Sequence, residues 1–144
     1  IPDLILTGGE YKAEIHACVG RGAVEGFRNA RCEVSIMGVS AINMEGELLV
    51  KYYDETDVLK QMLWSTSKRI FVVTSIQKFV SRDTFPVARI KEILEEINNV
   101  EVCIITNSYG DLEDEEKQRQ AKEVANRLEK IGDGKRVKVI LVAD

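Results

Sequence analysis

Short, nearly continuous runs of apolar, β-branched residues recur along the chain, separated by stretches with helical periodicity. The strand candidates are Leu4–Leu6, Val34–Met37, Ile70–Val73, Val102–Ile105 and Val137–Val142. Strands of this kind lack the in-out alternation of a half-exposed sheet, so they predict burial on both faces. A helix is predicted from about Gly20, with Ala23, Val24 and Phe27 on one side. A second runs from about Glu55 to Ser65, where Val58, Leu59, Met62 and Leu63 form one stripe. Asp54 is placed to cap it, because a carboxylate accepts from the free N–H groups of a first turn. A shorter helix is expected over Ala88–Ile97, after Pro86. The last runs from about Leu112 to Ile131, with Ala121, Val124, Ala125, Leu128 and Ile131 in line. Acidic residues 113–116 suit its first turns, and Gly132 and Gly134 end it.

Strands alternating with helices predict an α/β layer fold with a largely parallel sheet flanked by helices. No internal repeat or linker divides the chain, and its 144 residues suit one domain. The chain opens Ile1-Pro2-Asp3, without a methionine, on what reads as a strand and its exit loop. It is therefore expected to be a piece of something longer.

The formal charge of −4 argues against nucleic-acid binding by this chain alone, since phosphate neutralisation needs a basic face. No apolar run has the length of a membrane span, and no signal peptide is visible. Cys18, Cys32 and Cys103 are far apart and odd in number. That usage fits a reducing cytoplasm rather than a disulfide framework. With His16 as the one histidine and no Cys/His cluster, no metal site or cofactor is expected. His16 also lacks an identifiable catalytic partner.

Parallel sheets bind ligands beyond the carboxyl ends of their strands, so the residues there carry the candidate chemistry. Gly8 and Gly9 follow the first strand, with Lys12 three positions on. Paired glycines allow backbone N–H groups to approach a ligand, or simply make a tight turn. Gly38 and Ser40 follow the second strand, as a close approach and a hydroxyl donor, or as a bend. Glu55 opens a helix, as a dipole partner or as an acceptor for a sugar. "RIFVVTSIQKF" carries Thr74, Ser75, Gln77 and Lys78 past the third strand. Spacing alone favours a solvated loop there; the functional alternative is a grip on an anion. Trp64 reads as packing. Tyr52 and Tyr53 read as a cavity wall or an interface.

The order of these segments is more specific than any one of them. "LILTGGEYKAEIHACVG", "EVSIMGVSAINMEGELL", "DETDVLKQML", "IFVVTSIQKF" and "EVCIITN" together resemble the C-terminal effector domain of DeoR-family bacterial transcriptional repressors, over about residues 3 to 107. In that family an apolar strand ends in Gly-Gly with a basic residue three positions on. A Gly-Ala-Asp/Ser-Gly-type loop follows, matched by Gly38 to Ile42. A helix opens Glu-Ala-x-Val-Lys-Arg-x-Met, matched by Glu55, Val58, Lys60 and Met62. A strand then enters Asp-Ser-Ser-Lys-Phe, matched by Ser75, Lys78 and Phe79, and another ends Ile-Thr-Asp, matched by Ile105 and Thr106. The sequence departs from the pattern at Thr74, Ile76, Ala41, Leu59 and Asn107.

The resemblance implies a fold related to ribose-5-phosphate isomerase and CoA transferases, with its N-terminal part missing here. It implies a non-enzymatic, homo-oligomeric sensor that binds a phosphorylated sugar or related metabolite. Gly8, Gly9, Lys12, Gly38, Ser40, Glu55 and Lys78 would form the ligand site. DNA would be bound only through a helix-turn-helix domain outside this chain. Two alternatives stand beside it: a sugar-phosphate isomerase of the same fold, and an oligomerisation module whose ligand site has decayed.

Overall fold

A computed structural model describes residues 3–142. The chain order is β1 (Glu10–Lys12), β2 (Ala17–Val19), α1 (Gly20–Arg28), β3 (Cys32–Met37), β4 (Ala41–Ile42), β5 (Glu47–Val50), α2 (Asp54–Trp64) and β6 (Thr66–Val73). It continues with β7 (Phe85–Arg89), α3 (Ile90–Glu96), β8 (Glu101–Thr106), α4 (Glu115–Ile131) and β9 (Val137–Leu141). Single 3-10 turns follow β6 at Ile76–Phe79 and β8 at Tyr109–Asp111.

β3, β6, β8 and β9 form a parallel sheet in that order. The α/β class and the parallel sheet expected from the apolar runs are therefore present. β4, β5 and β7 form a small antiparallel sheet, and β1 and β2 a hairpin. Strand order follows chain order, so each crossover moves one position in the same direction. Right-handed crossovers then deliver α2, α3 and α4 to one face. The register bears this out: Ser35, Ile70, Val102 and Val137 align in one row, and Met37, Val72, Ile104 and Val139 in another. These rows pack with Leu63, Ile93, Leu94, Val124 and Leu128 from the helices. Each such aliphatic side chain, fully buried, contributes about 1.5–3 kcal/mol.

α4 starts at Glu115, three residues after the expected start near Leu112, because a 3-10 turn at Tyr109–Asp111 comes first. Asp114 accepts from the Glu116 N–H at 2.8 Å, and Glu115 and Glu116 lie in the first turn. It ends at Gly132 for a steric reason: a Cβ there would meet the Val137 backbone N at 2.5 Å.

Four further expectations are corrected. Leu4–Leu6 is not a strand; those residues are 85%, 88% and 76% exposed and pair with no strand among the described residues. The residues just after them are held elsewhere. A Cβ on Gly26 would meet the Thr7 backbone O at 2.8 Å, and one on Gly22 would meet Gly9 Cα at 2.8 Å. α1 thus presents two glycines, four residues apart, as a flat seat for residues 7–9. The second correction concerns α3, which begins at Ile90 rather than Ala88. β7 first pairs with β5, and the Glu92 carboxylate then accepts from the Arg89 N–H at 3.1 Å, fixing the helix start. Third, Asp54 does not cap α2. Tyr53 holds that position without a side-chain cap, and the Asp54 carboxylate is taken by Lys12. Fourth, the last strand stops at Leu141, one residue short of Val142.

Arg136 ties the far edge of the domain together. Its half-buried guanidinium donates to the carbonyls of Val100 at 3.0 Å, Leu94 at 2.9 Å and Ile97 at 3.0 Å. These include carbonyls that the end of α3 leaves without helical partners. Arg136→Met should cost about 3 kcal/mol, because several oriented acceptors lose a charged donor at once. Urea denaturation with an unchanged m-value would measure it.

Candidate functional site

The carboxyl ends of β3, β6 and β8 lie side by side, and the segments leaving them carry most of the polar candidates. Gly38 is exposed, and a Cβ there would meet only the Val73 backbone O, at an ordinary 3.8 Å. Packing within the domain therefore does not demand glycine at this position. Ser40 is half-buried, and its N–H donates to the Leu49 carbonyl at 2.8 Å.

Past β6, the Thr74 N–H donates to the Ile105 carbonyl at 3.0 Å, while its Oγ1 is buried without a partner. Buried hydroxyls are ordinarily satisfied, so this one is a free valence at the strand end. Lys78 stands on the 3-10 turn, held where the Lys78 N–H donates to the Ser75 carbonyl at 3.0 Å. The residue is half-buried, and none of the ion pairs among the described residues includes it.

Asn107 positions this turn. Its Oδ1 accepts from the Ile76 N–H at 2.7 Å, and its Nδ2 donates to Asp111 Oδ2 at 2.9 Å. Asp111 also accepts from the Ser108 N–H at 3.1 Å. An aspartate at 107 could accept from Ile76, but it would face the Asp111 carboxylate. The departure from Ile-Thr-Asp thus has a local cause: the neighbour requires an amide N–H. The sequence offered no signal for this, because Asn107 and Ile76 are 31 residues apart.

A second group of charges sits at the start of α2. Lys12 of β1 pairs with Asp54, which holds the lysine above its usual pKa. Glu55 is half-buried next to this pair. Burial pushes its carboxyl above the usual 4.5, and Asp83 reinforces the rise. The Tyr52 N–H and Lys12 act in the opposite direction. Lys12 and Glu55 are therefore brought together, and the charges acting on Glu55 do not include Lys78. Lys12 already has a carboxylate partner, so less of its charge is available to an anion.

Gly8 and Gly9 lie on the exposed seam leading into this group. Both have positive φ, at 76° and 98°. A Cβ on Gly9 would also meet the Val19 backbone O at 2.6 Å, so turn geometry and packing account for the pair. His16 is exposed with a positive φ, and its Nδ1 lies 3.3 Å from the Tyr11 hydroxyl. Trp64 packs at the edge of the core and donates from Nε1 to Glu96 at 2.9 Å.

A sizeable cavity lies away from the strand ends. A groove of about 890 Å³ runs between α1 and α2, with Tyr53 in its wall. It carries Glu10, Glu25, Asp54, Asp57 and Glu96 against Arg21, Arg28 and Lys60, and Arg28 is already paired with Glu25 at 2.7 Å. That balance repels an anion, so size alone does not identify the site. Among the described residues, no group of three His, Cys, Asp or Glu side chains could hold a metal. No helix among them is long and apolar enough to cross a membrane.

A parallel α/β sheet with open hydroxyls and an unpaired ammonium beyond its strand ends has the architecture of a ligand-binding module. The sequence model of the DeoR C-terminal sensor domain matches residues 2–99, more than half of the chain. The chain belongs to that family, and so is a sensor domain of a regulator. The match spans β1 through α3 and stops before β8. No curated protein and no solved structure gave a significant match.

Two substitutions test the site's construction. Asn107→Asp should lower stability by about 1–2 kcal/mol at pH 7, through repulsion from Asp111. Adding Asp111→Asn should recover most of that loss in a double-mutant cycle. Glu55 tests the second group. A carboxyl with a folded pKa above its unfolded value gives stability that is present at low pH and lost as pH rises through the folded pKa. Glu55→Gln should therefore raise the melting temperature at pH 7 and leave it near the parent value at pH 4.

Proposed function

We propose that this domain senses a phosphorylated sugar or related metabolite at the carboxyl ends of β3, β6 and β8. The observation that carries the reading is Lys78: a half-buried lysine with no ion-pair partner among the described residues, on a turn anchored by Asn107, past the end of a parallel strand. Lys78 takes the phosphate as a point charge. Gly38 leaves room for close approach, and Ser40 and Thr74 supply hydroxyls. The free Thr74 Oγ1 turns toward the ligand by one χ1 rotation. Glu55, with Lys12 beside it, contacts the sugar, and Gly8 and Gly9 line the approach to that pair.

The domain is a single effector unit of a cytoplasmic, homo-oligomeric repressor. A helix-turn-helix domain outside these residues binds DNA. The metabolite acts by binding two arrangements of the oligomer unequally, which changes the spacing of the DNA-binding modules. An isomerase would need Glu55 and Lys78 across one carbonyl. The charges that act on Glu55 come from Asp83 and Lys12 instead, which favours the sensor.

Thermal-shift measurements on the intact protein with a panel of phosphorylated sugars test this. A ligand at about 100 times its Kd should add about 2.7 kcal/mol of stability. Lys78→Ala should weaken binding by about tenfold or more, since a charged hydrogen bond contributes about 1.5–3 kcal/mol. Unchanged affinity would remove Lys78 from the site, and no shift with any phosphorylated sugar would remove the ligand class.

A further inference from the structure

The strand-end region has two poles of opposite charge. Lys78 marks the first, on the segment that also carries Thr74, whose buried Oγ1 has no partner. The second lies at the start of α2, where Asp54, Glu55 and Asp83 meet one cation, Lys12. That cation is committed to Asp54. Glu55 and Asp83 are both half-buried, and neither belongs to any ion pair among the described residues. Arg82, between the poles in the chain, is exposed and is not among the charges acting on Glu55.

Chain geometry joins the poles into one site. The rings of Tyr53 and Phe85 meet edge to face with centroids 5.6 Å apart, which sets residues 83–85 against the start of α2. The same loop carries Lys78. Ser81 Oγ donates to the Gln77 carbonyl at 2.6 Å, so the loop folds back on the Lys78 turn. Asp83 follows Ser81 by two residues, within roughly 7 Å of backbone. The poles are neighbours without touching, since Lys78 is not among the charges that act on Glu55. A ligand that reaches both therefore carries its two recognised groups at opposite ends.

The second pole discriminates between ligand groups by charge. A phosphate or carboxylate there would meet two carboxylates and be repelled. A hydroxyl could donate to one of them but would leave their mutual repulsion in place. An ammonium supplies both N–H donors and the missing positive charge, and such charge-assisted bonds are about twice as strong as neutral ones. Lys78 repels the same ammonium from the first pole, so the ligand has one orientation.

We propose that the effector is a phosphorylated amino sugar, with its phosphate at Lys78 and its free ammonium between Glu55 and Asp83. This rests on the sensor reading of the strand ends and narrows its ligand class.

Calorimetric titration of the intact protein at pH 7 with matched pairs tests it. The pairs are glucosamine 6-phosphate against glucose 6-phosphate, and galactosamine 6-phosphate against galactose 6-phosphate. Members of a pair differ in one group, an ammonium in place of a hydroxyl. In a pair that binds, the amino sugar should bind at least about tenfold more tightly, as one charged hydrogen bond provides. Glu55→Gln and Asp83→Asn should each reduce that preference to below about threefold. Glu55→Gln should fold at least as stably as the parent at pH 7, so its lost preference reads the site and not the fold. Equal or weaker binding of the amino sugar would overturn the proposal and leave the sugar-phosphate reading standing. A preference that persists in both variants would overturn the placement of the ammonium. Binding of no phosphorylated sugar would remove the reading itself, and the proposal with it.

Discussion

The geometry of the strand ends depends on the side-chain amide of Asn107. Its oxygen holds the N–H that opens the turn after β6, and its nitrogen holds the carboxylate of Asp111 in the turn after β8. Neither turn has a long helix or a strand of its own to fix it. One amide therefore sets two loops, and with them the position of the Lys78 backbone. A primary amide is required because one loop needs an acceptor and the other a donor. A carboxylate offers only acceptors at neutral pH.

The charges fall into two groups with different degrees of freedom. At the start of α2, Lys12, Asp54, Glu55 and Asp83 act on one another, and their net effect leaves Glu55 harder to ionise. Beyond β6, Lys78 stands apart from any carboxylate pairing. An incoming dianion gains most where a cation has not yet been neutralised, and it meets repulsion along the acid-rich groove between α1 and α2. Charge thus separates the strand ends from the groove between α1 and α2. Thr74 marks where this chain differs chemically from the pattern it otherwise resembles.

Much of the architecture was legible because burial writes directly into composition. In runs such as Ile70–Val73 and Val102–Ile105 the residues facing the helices, Ile70, Val72, Val102 and Ile104, are fully buried, whereas Val73 is 49% exposed, so burial on both faces was over-predicted; the stripe of α4 repeats because one side of it faces that sheet. The same signal failed at Leu4–Leu6, which has strand composition but no neighbouring strand among the described residues. Local pattern cannot report the presence of a partner. It failed again at β7, where Phe85–Arg89 and the helix after it share one apolar run that only the pairing with β5 divides. The β1–β2 hairpin and β4 were too short to register. At the site, sequence order identified Lys78, Ser40 and Gly38 as strand-end residues. It could not foresee that Lys12 would be engaged by a carboxylate 42 positions away, which also removed the expected cap from α2.

The ordering of the parallel sheet also bears on how the domain is made. β3, β6, β8 and β9 sit in space in the sequence in which they leave the ribosome. Each new strand needs only the previous one as a template, and its crossover helix lands beside the helix already in place. No strand has to wait for a distant segment before it can pair. The sheet can therefore grow vectorially, one strand-and-crossover unit at a time, with the closure entropy of each step limited to a single crossover.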